Sequence, residues 1–285
     1  MNTLNHGITA VFDALLWPLD LLGRGPALVI GSGIFGVLAL LSFKYISPQR
    51  AIKAAKDRIK AHLLEIRIYQ DDLRLVSRAI GKVLVCNARY LGLNLLPFVP
   101  LAIPFTFVLA QFVVRYGFDP VPVHAAEARL LAGQGTTISI DLKHDAASQV
   151  AGLTIGYSEG VRPVSPLVRV PSEGRAFQEV VVSRDGEHSI ELSFRDGRRE
   201  TKRIVAGDVE VRTMQPERGS GLVAALLWPA EDTFAPDSPV EKVSFVYPDS
   251  DLGWLPGGTG GVLIVFLVSS MVFGALAIKP LRVQI

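Results

Sequence analysis

The fold is decided by the segment KYISPQRAIKAAKDRIKAHLLEIRIYQDDLRLVSRAIGKVLVCNARY, residues 44–90. It carries eleven Lys and Arg against four Asp and Glu, which is a net charge of +7. Two apolar spans flank it, Pro26–Phe43 and Leu91–Val114, and a third follows at Pro256–Ile278. Each approaches or exceeds the roughly 18–20 residues needed to cross about 30 Å of hydrocarbon. The sequence therefore predicts an α-helical membrane protein with three transmembrane helices.

Charge is distributed unevenly between the segments that separate the spans. Asp119–Leu255 carries fourteen Lys and Arg against twenty-one Asp and Glu, a net charge of −7. Because positively charged loops stay in the cytoplasm, we expect the basic segment inside and the acidic one outside. Lys279 and Arg282 follow the last span and place the C-terminus inside, so the N-terminus is expected outside. We expect the protein to lie in the cytoplasmic membrane of a bacterium or archaeon.

Seven predicted segments follow from these boundaries. They are an interfacial amphipathic segment (1–25), a first transmembrane helix (26–46), a basic cytoplasmic helical hairpin (47–90), a second transmembrane helix (91–118), an extracytoplasmic β-domain (119–255), a third transmembrane helix (256–278) and a cytoplasmic tail (279–285). Ala14–Pro18 and Ala225–Pro229 share the sequence ALLWP, so both copies could dip into the outer interface. Chance composition explains this repeat equally well.

The basic segment has a heptad period, which is typical of a coiled coil. One stripe is Ile52, Ile59, Ile66, Leu73 and Ile80, and a second follows three positions later as Ala55, His62, Tyr69, Val76 and Val83. A single helix would reach roughly 64 Å at 1.5 Å per residue, yet both ends must return to one membrane surface. We therefore expect a hairpin with a turn near Gln70–Asp72, where Asp71 or Asp72 caps the second helix. A helix lying flat on anionic lipid is the alternative.

The acidic segment is predicted to be an all-β, immunoglobulin-like sandwich. Its short, alternating, β-branched runs are Thr136–Leu142, Gly152–Tyr157, Leu167–Val170, Phe177–Val182, His188–Phe194, Glu200–Val205 and Val240–Tyr247. Asp185-Gly186 and Asp196-Gly197 lie between runs and favour tight hairpins. The segment has no metal-ligand spacing among its histidines and no nucleophile or phosphate-binding motif. We expect no enzyme activity, no cofactor, no metal site and no nucleic-acid partner.

The second span contains Pro97, Pro100 and Pro104, each of which removes a backbone donor from a helix in lipid. Such a segment is tolerated where neighbouring helices, side chains or water satisfy the freed carbonyls. Asn94, Thr106 and Gln111 supply polar groups in the same span. Ordinary helix packing and a water-accessible polar groove explain this pattern equally well.

The order of these elements resembles the Oxa/YidC superfamily of membrane-protein insertases, in particular its small three-span archaeal and ER branch. The local likeness lies in Asn87–Tyr90, Leu96–Pro100, Val114–Phe118 and Ser269–Gly274, the last followed by Lys279. The resemblance implies a hydrophilic groove open to cytoplasm and lipid, lined here by Asn94, Thr106 and Gln111. It also implies a hairpin that receives client membrane proteins or other partners.

One feature departs from that branch, because its members join the second and third spans by a short loop. This chain places its whole acidic β-domain there. The first functional hypothesis is an insertase-like protein that assists membrane-protein insertion or folding through a polar intramembrane groove. The alternative is a non-catalytic membrane anchor or assembly subunit whose β-domain binds an envelope partner.

Overall fold

The computed structural model describes residues 2–125, 133, 135–209, 211–281 and 283. The helices in these residues are α1 (Asn2–Asp20), α2 (Arg24–Ile46), α3 (Gln49–Ile68), α4 (Leu73–Leu95), α5 (Phe98–Tyr116), α6 (Gly221–Leu227) and α7 (Gly258–Leu281). Within this part of the chain, three helical stretches are long and apolar enough to cross a membrane: α2, the run Leu73–Tyr116 and α7. Length and composition therefore support three candidate spans, whereas the predicted second helix (91–118) is interrupted at residues 96 and 97, between α4 and α5. Arg282 lies outside the described residues.

The chain divides into two compact units. The first, called the β-unit, comprises Met1–Leu28 and Thr106–Val265. The second, called the hairpin unit, comprises Val29–Phe105 and Phe266–Ile285. The boundary between the units falls inside α2, α5 and α7, so each of these helices contributes one end to each unit.

In the hairpin unit, α3 and α4 form the expected helical hairpin. The turn is confirmed, because α3 ends at Ile68 and α4 begins at Leu73. Asp72 caps α4, and its carboxylate accepts hydrogen bonds from the backbone N–H of Arg74 at 2.9 Å and of Leu75 at 3.1 Å. This cap satisfies two N–H groups that would otherwise lack a partner at the helix start.

The heptad prediction is correct for α3 and wrong for part of α4. Ile52 and Ala55 are buried and Ile59 is partly buried, as the stripe requires. Leu73 and Ile80, however, are 80% and 46% exposed. Val76 and Val83 of the second stripe are partly buried, as predicted, and the other inward residues of α4 are Ala79, Cys86 and Tyr90. The first stripe therefore does not continue through the four-residue turn.

Ile59 and Ile80 give a matched test of the hairpin. Ile59→Asp should destabilise it, since a charge moved into an apolar interface without a partner costs several kcal/mol, roughly. Ile80→Asp should leave it intact because Ile80 is exposed. Limited proteolysis of the two variants in detergent should cut only the Ile59→Asp hairpin faster than the wild type. Equal protection of both variants would contradict the interface described above.

The β-unit contains nine strands in its described residues. They are β1 (Thr136–Leu142), β2 (Thr154–Tyr157), β3 (Val161–Pro163), β4 (Val168–Val170), β5 (Arg175–Val182), β6 (Gly186–Ser193), β7 (Arg199–Ala206), β8 (Glu217–Gly219) and β9 (Val240–Phe245). One antiparallel sheet has the order β3-β5-β1-β9-β8, with β4 also paired to β5. The other has the order β2-β6-β7.

The two predicted tight hairpins have different outcomes. Asp196-Gly197 joins β6 to β7, which pair along their whole length from Gly186 opposite Ala206 to Ser193 opposite Arg199. Gly197 has a positive φ of 84°, as such a turn requires. The prediction for Asp185-Gly186 is wrong, because β5 and β6 belong to different sheets. The chain crosses from one sheet to the other at this point.

A charged side chain is buried in the interior of the β-unit. Lys202 is fully buried on β7, where its Nζ donates to the carbonyl oxygens of Gln215 at 2.8 Å and Arg203 at 3.0 Å. Its ammonium also contacts the Glu231 carboxylate, whose side chain is 10% exposed. Burial lowers the pKa of Lys202, and the carboxylate of Glu231 opposes this shift. The pair links the segment after α6 to the sheet.

Candidate functional site

In the hairpin unit, α2 and α7 approach each other very closely. A Cβ atom added to Gly36 would lie 2.2 Å from the backbone oxygen of Ser270. One added to Gly33 would lie 2.6 Å from the ring of Phe273. Because glycine has no side chain, the two backbones come into direct contact, as in other helix pairs in lipid.

The first turns of α5 meet these helices less closely. Two aromatic contacts hold α5 against α2, Phe35–Phe105 with centroids 5.4 Å apart and Phe43–Phe98 with centroids 5.9 Å apart. Phe266 of α7 completes the first contact, at 5.3 Å from Phe35 and 5.5 Å from Phe105. These ring contacts hold α5 away from α2 and α7 at two levels, and a gap remains between the three helices.

This gap is a groove of about 700 Å³, called the apolar groove below. Small residues create the space, and those lining it are Gly36, Ala39, Ser42, Ala102, Ser270, Gly274 and Ala275. Larger lining residues such as Leu38, Phe98 and Met271 are exposed, so the groove is open along one side. Its volume lies within the range of about 300–1,000 Å³ that is typical of ligand sites.

The three prolines shape the N-terminal end of α5. Pro97 occupies the turn between α4 and α5, and Pro100 lies in the first turn of α5, where a backbone N–H would lack an intrahelical partner. Pro104 lies inside α5 and lines the groove. It removes one backbone hydrogen bond from the interior of α5.

The lining of the groove is apolar rather than hydrophilic. Ser42 and Ser270 supply its polar side chains, and the Ser270 hydroxyl donates to the carbonyl oxygen of Leu267 at 3.0 Å. Asn94, Thr106 and Gln111 are not among the residues that line it. Their role in a groove therefore stays a prediction.

The three predicted site residues do not form one cluster. In the hairpin unit, the side-chain amide of Asn94 donates to the carbonyl oxygen of Tyr90 at 2.8 Å, along its own helix. Thr106 is partly buried at the point where α5 enters the β-unit. Gln111 is fully buried in the β-unit, where its amide donates to the Thr9 hydroxyl at 2.9 Å.

Sequence reasoning missed the contact between α1 and the C-terminal half of α5. Arg115 is 4% exposed, and its guanidinium pairs with Asp13 at 2.7 Å and donates to the carbonyl oxygen of Thr9 at 3.2 Å. Gln111 and Arg115 are four residues apart, as are Thr9 and Asp13, so matched pairs lie on facing sides of two helices. That repeated spacing of polar residues was the available signal.

No group of three His, Cys, Asp or Glu that could hold a metal ion occurs among the described residues. Comparison of the chain with family models, with curated proteins and with solved structures gave no match.

Proposed function

We propose that this is an insertase-like integral membrane protein, which assists the insertion or folding of client membrane proteins. The observation that carries the proposal is the open apolar groove among α2, α5 and α7. A client segment would lie against the groove while the rest of the client folds. The proposal revises the polar groove expected from sequence, since the lining supports recognition by close packing.

Small residues support this mode of recognition. Lipid tails are as apolar as leucine, so helices in a membrane associate through packing and not through a hydrophobic driving force. The side of α7 that faces the groove carries Ser270 and Gly274 one turn apart, with Ala275 beside them. A client helix with small residues of its own could approach this surface closely.

The hairpin also supports the proposal. Two residues, Ser47 and Pro48, connect α2 to α3, and Leu96 and Pro97 connect α4 to α5. The hairpin therefore continues directly into two of the helices that line the groove. Exposed apolar side chains run along α4, namely Leu73, Ile80, Leu84, Leu91 and Leu95. They offer an apolar path towards the groove, as the resemblance to insertases would require.

The charge split supports a topology with the hairpin and C-terminus in the cytoplasm and the N-terminus and β-domain outside. In a Cys86→Ala background, single cysteines at Ser77 of α4 and Arg199 of β7 test it. A membrane-impermeant thiol reagent added to intact cells should label only the cysteine at position 199. Labelling of both positions from the same side would overturn the topology.

A tryptophan placed in the groove tests the function. Ala275 lines the groove and is exposed, so Ala275→Trp should fill part of it without disturbing a buried contact. We expect insertion of a short single-span client into reconstituted vesicles to fall about ten-fold, which corresponds to roughly 1.4 kcal/mol. Leu276→Trp is the matched control, since Leu276 is exposed but does not line the groove.

Two results would contradict the insertase proposal. One is that vesicles containing the wild-type protein insert no more client than empty vesicles. The other is that Ala275→Trp and Leu276→Trp reduce insertion equally, which would show that the groove has no specific role. Circular dichroism and reconstitution yield should be unchanged in both variants, so that a folding defect is separated from loss of function.

The β-domain favours a second candidate, a non-catalytic anchor or assembly subunit that binds an envelope partner. Its supporting observation is α6, where Leu222 and Val223 are 69% and 70% exposed. Exposed adjacent apolar residues are typical of interaction surfaces. Replacing Leu222 and Val223 with Asp should abolish co-purification of the envelope partner from native membranes.

We also propose that the two sheets pack as an immunoglobulin-like sandwich, which a crystal structure of the full chain would test.

A further inference from the structure

A cavity of about 370 Å³ lies in the β-unit, where α1 ends, α2 begins, α5 ends and the segment after β7 passes. Its charged lining residues are Asp20, Arg24, Arg115, Asp208 and Arg212. Among the described residues, the cavity therefore brings charged side chains of both signs together, and two of them, Asp208 and Arg212, are exposed. Such a lining suits a charged ligand.

Two of the three arginines can donate to a ligand. Arg115 is buried in the wall of the cavity, where its guanidinium is held by Asp13 and by the carbonyl oxygen of Thr9. Arg24 contacts the Asp119 carboxylate and donates to the carbonyl oxygen of Phe118 at 2.8 Å. Arg212 is exposed, with no ion pair or hydrogen bond to any described residue. Guanidinium groups bind phosphate oxygens in a planar, bidentate manner, so this arrangement suits a phosphate.

The cavity does not suit a simple anion, because the carboxylates of Asp20 and Asp208 would repel a ligand that carries only negative charge. Asp20 accepts a hydrogen bond from the Tyr116 hydroxyl at 2.8 Å through one oxygen, which leaves the other oxygen available. Asp208 is exposed at the rim of the cavity. A ligand that satisfies both sets of groups carries both a negative and a positive charge.

The position of the cavity identifies the source of such a ligand. A candidate span begins at Arg24, and another ends at Tyr116, so the cavity lies where membrane-spanning helices end. Leu21 and Leu22 directly follow Asp20 and are 74% and 60% exposed. Trp17 is also exposed on α1, as an aromatic anchor at a membrane interface would be.

We propose that this cavity binds the phosphoethanolamine headgroup of a zwitterionic phospholipid. The phosphate lies between the guanidinium groups of Arg24 and Arg212, and the ammonium donates to the carboxylates of Asp20 and Asp208. The acyl chains run along Leu21 and Leu22 into the bilayer. The bound lipid joins the membrane to the foot of the β-domain.

Isothermal titration of the full chain in detergent with dihexanoyl phosphatidylethanolamine tests the proposal. Phosphatidylglycerol, which has no ammonium, and free phosphoethanolamine, which has no acyl chains, should each bind about ten-fold more weakly.

Arg212→Gln should weaken binding of phosphatidylethanolamine about ten-fold, because it removes a charge-assisted contact to phosphate. Asp208→Asn should abolish the preference over phosphatidylglycerol. Arg199→Gln, at a side chain 72% exposed elsewhere on the β-unit, is the matched control and should bind as the wild type does.

Both test positions are exposed, so neither variant should affect folding. Wild-type affinity in Arg212→Gln would overturn the site. Equal affinity of the wild type for phosphatidylglycerol would overturn the role of the two acids. Equal affinity for free phosphoethanolamine would overturn the assignment of a lipid as the source of the headgroup.

Discussion

Gly36→Ala should separate α2 from α7 and destabilise the hairpin unit by about 3 kcal/mol or more, although it adds only one methyl group. The added Cβ would lie 2.2 Å from the backbone oxygen of Ser270, and a backbone atom cannot move aside as a flexible side chain can. The two helices would have to shift, and the apolar groove between them and α5 would change shape. Thermal unfolding in detergent, followed by circular dichroism, measures the loss.

Gly81→Ala is the matched control for this change. Gly81 lies inside α4, and nothing lies within 4 Å of the Cβ that alanine would add. Alanine is the better helix former, so this variant should be more stable by about 1 kcal/mol. If the same substitution lowers stability at Gly36 and raises it at Gly81, the effect of helix contact is separated from that of helix propensity. If Gly36→Ala unfolds at the wild-type temperature, the close approach of α2 and α7 is wrong.

Lys202→Met should destabilise the β-unit by about 3–5 kcal/mol, because it leaves the Glu231 carboxylate buried without its cation. Methionine nearly matches the lysine side chain in volume, so the loss reports on charge and hydrogen bonding. Urea denaturation of the detergent-solubilised protein, followed by tryptophan fluorescence, measures it. Lys242→Met is the control: Lys242 is 39% exposed and pairs with Glu217 at 3.6 Å, so about 1 kcal/mol or less is expected.

The double variant Lys202→Met/Glu231→Gln distinguishes a buried charge from a general packing defect. Removing the second charge relieves the unpaired carboxylate, so the double variant should be more stable than Lys202→Met alone by about 2 kcal/mol. Additive losses from the two single substitutions would mean that the two side chains do not interact. That result would contradict the ion pair.

The hairpin shows how far sequence patterning reaches. The turn and its Asp72 cap were predictable, because a short polar residue before an apolar-periodic run is a local signal. The inward side of α4 was predictable only in part: Val76 and Val83 of the second stripe are partly buried, whereas Leu73 and Ile80 of the first are exposed. The turn between α3 and α4 shifts the inward face, and a sequence period alone does not record by how much.

For the strands, too, the local pattern was predictable and the tertiary pairing was not. β1 was predicted over Thr136–Leu142, and it occupies those residues because its alternation matches the pleat of a half-buried strand. β3 and β8 have three residues each, too few to show a period. The partner of each strand was also not predictable, which is why Asp185-Gly186 indicated a hairpin where the chain changes sheets.

The groove was the least predictable feature. Polar residues in the second span were compatible both with a hydrophilic groove and with ordinary helix packing, and the Gln111 amide donates to the Thr9 hydroxyl of α1. The observed groove depends on small residues of three separate segments and on the aromatic rings that hold α5 away. Such a space is a property of tertiary packing, and no single segment contains it.

The strand order has a consequence for the timing of synthesis. Leu142 of β1 pairs with Val240 of β9, so the larger sheet stays incomplete until almost 100 further residues have been made. At roughly 5–20 residues per second, the ribosome needs about 5–20 s for that stretch. During this interval one edge of β1 has no partner, which exposes it to aggregation. Since α7 begins soon after β9, the nascent chain completes its sheet and delivers its last apolar helix almost together.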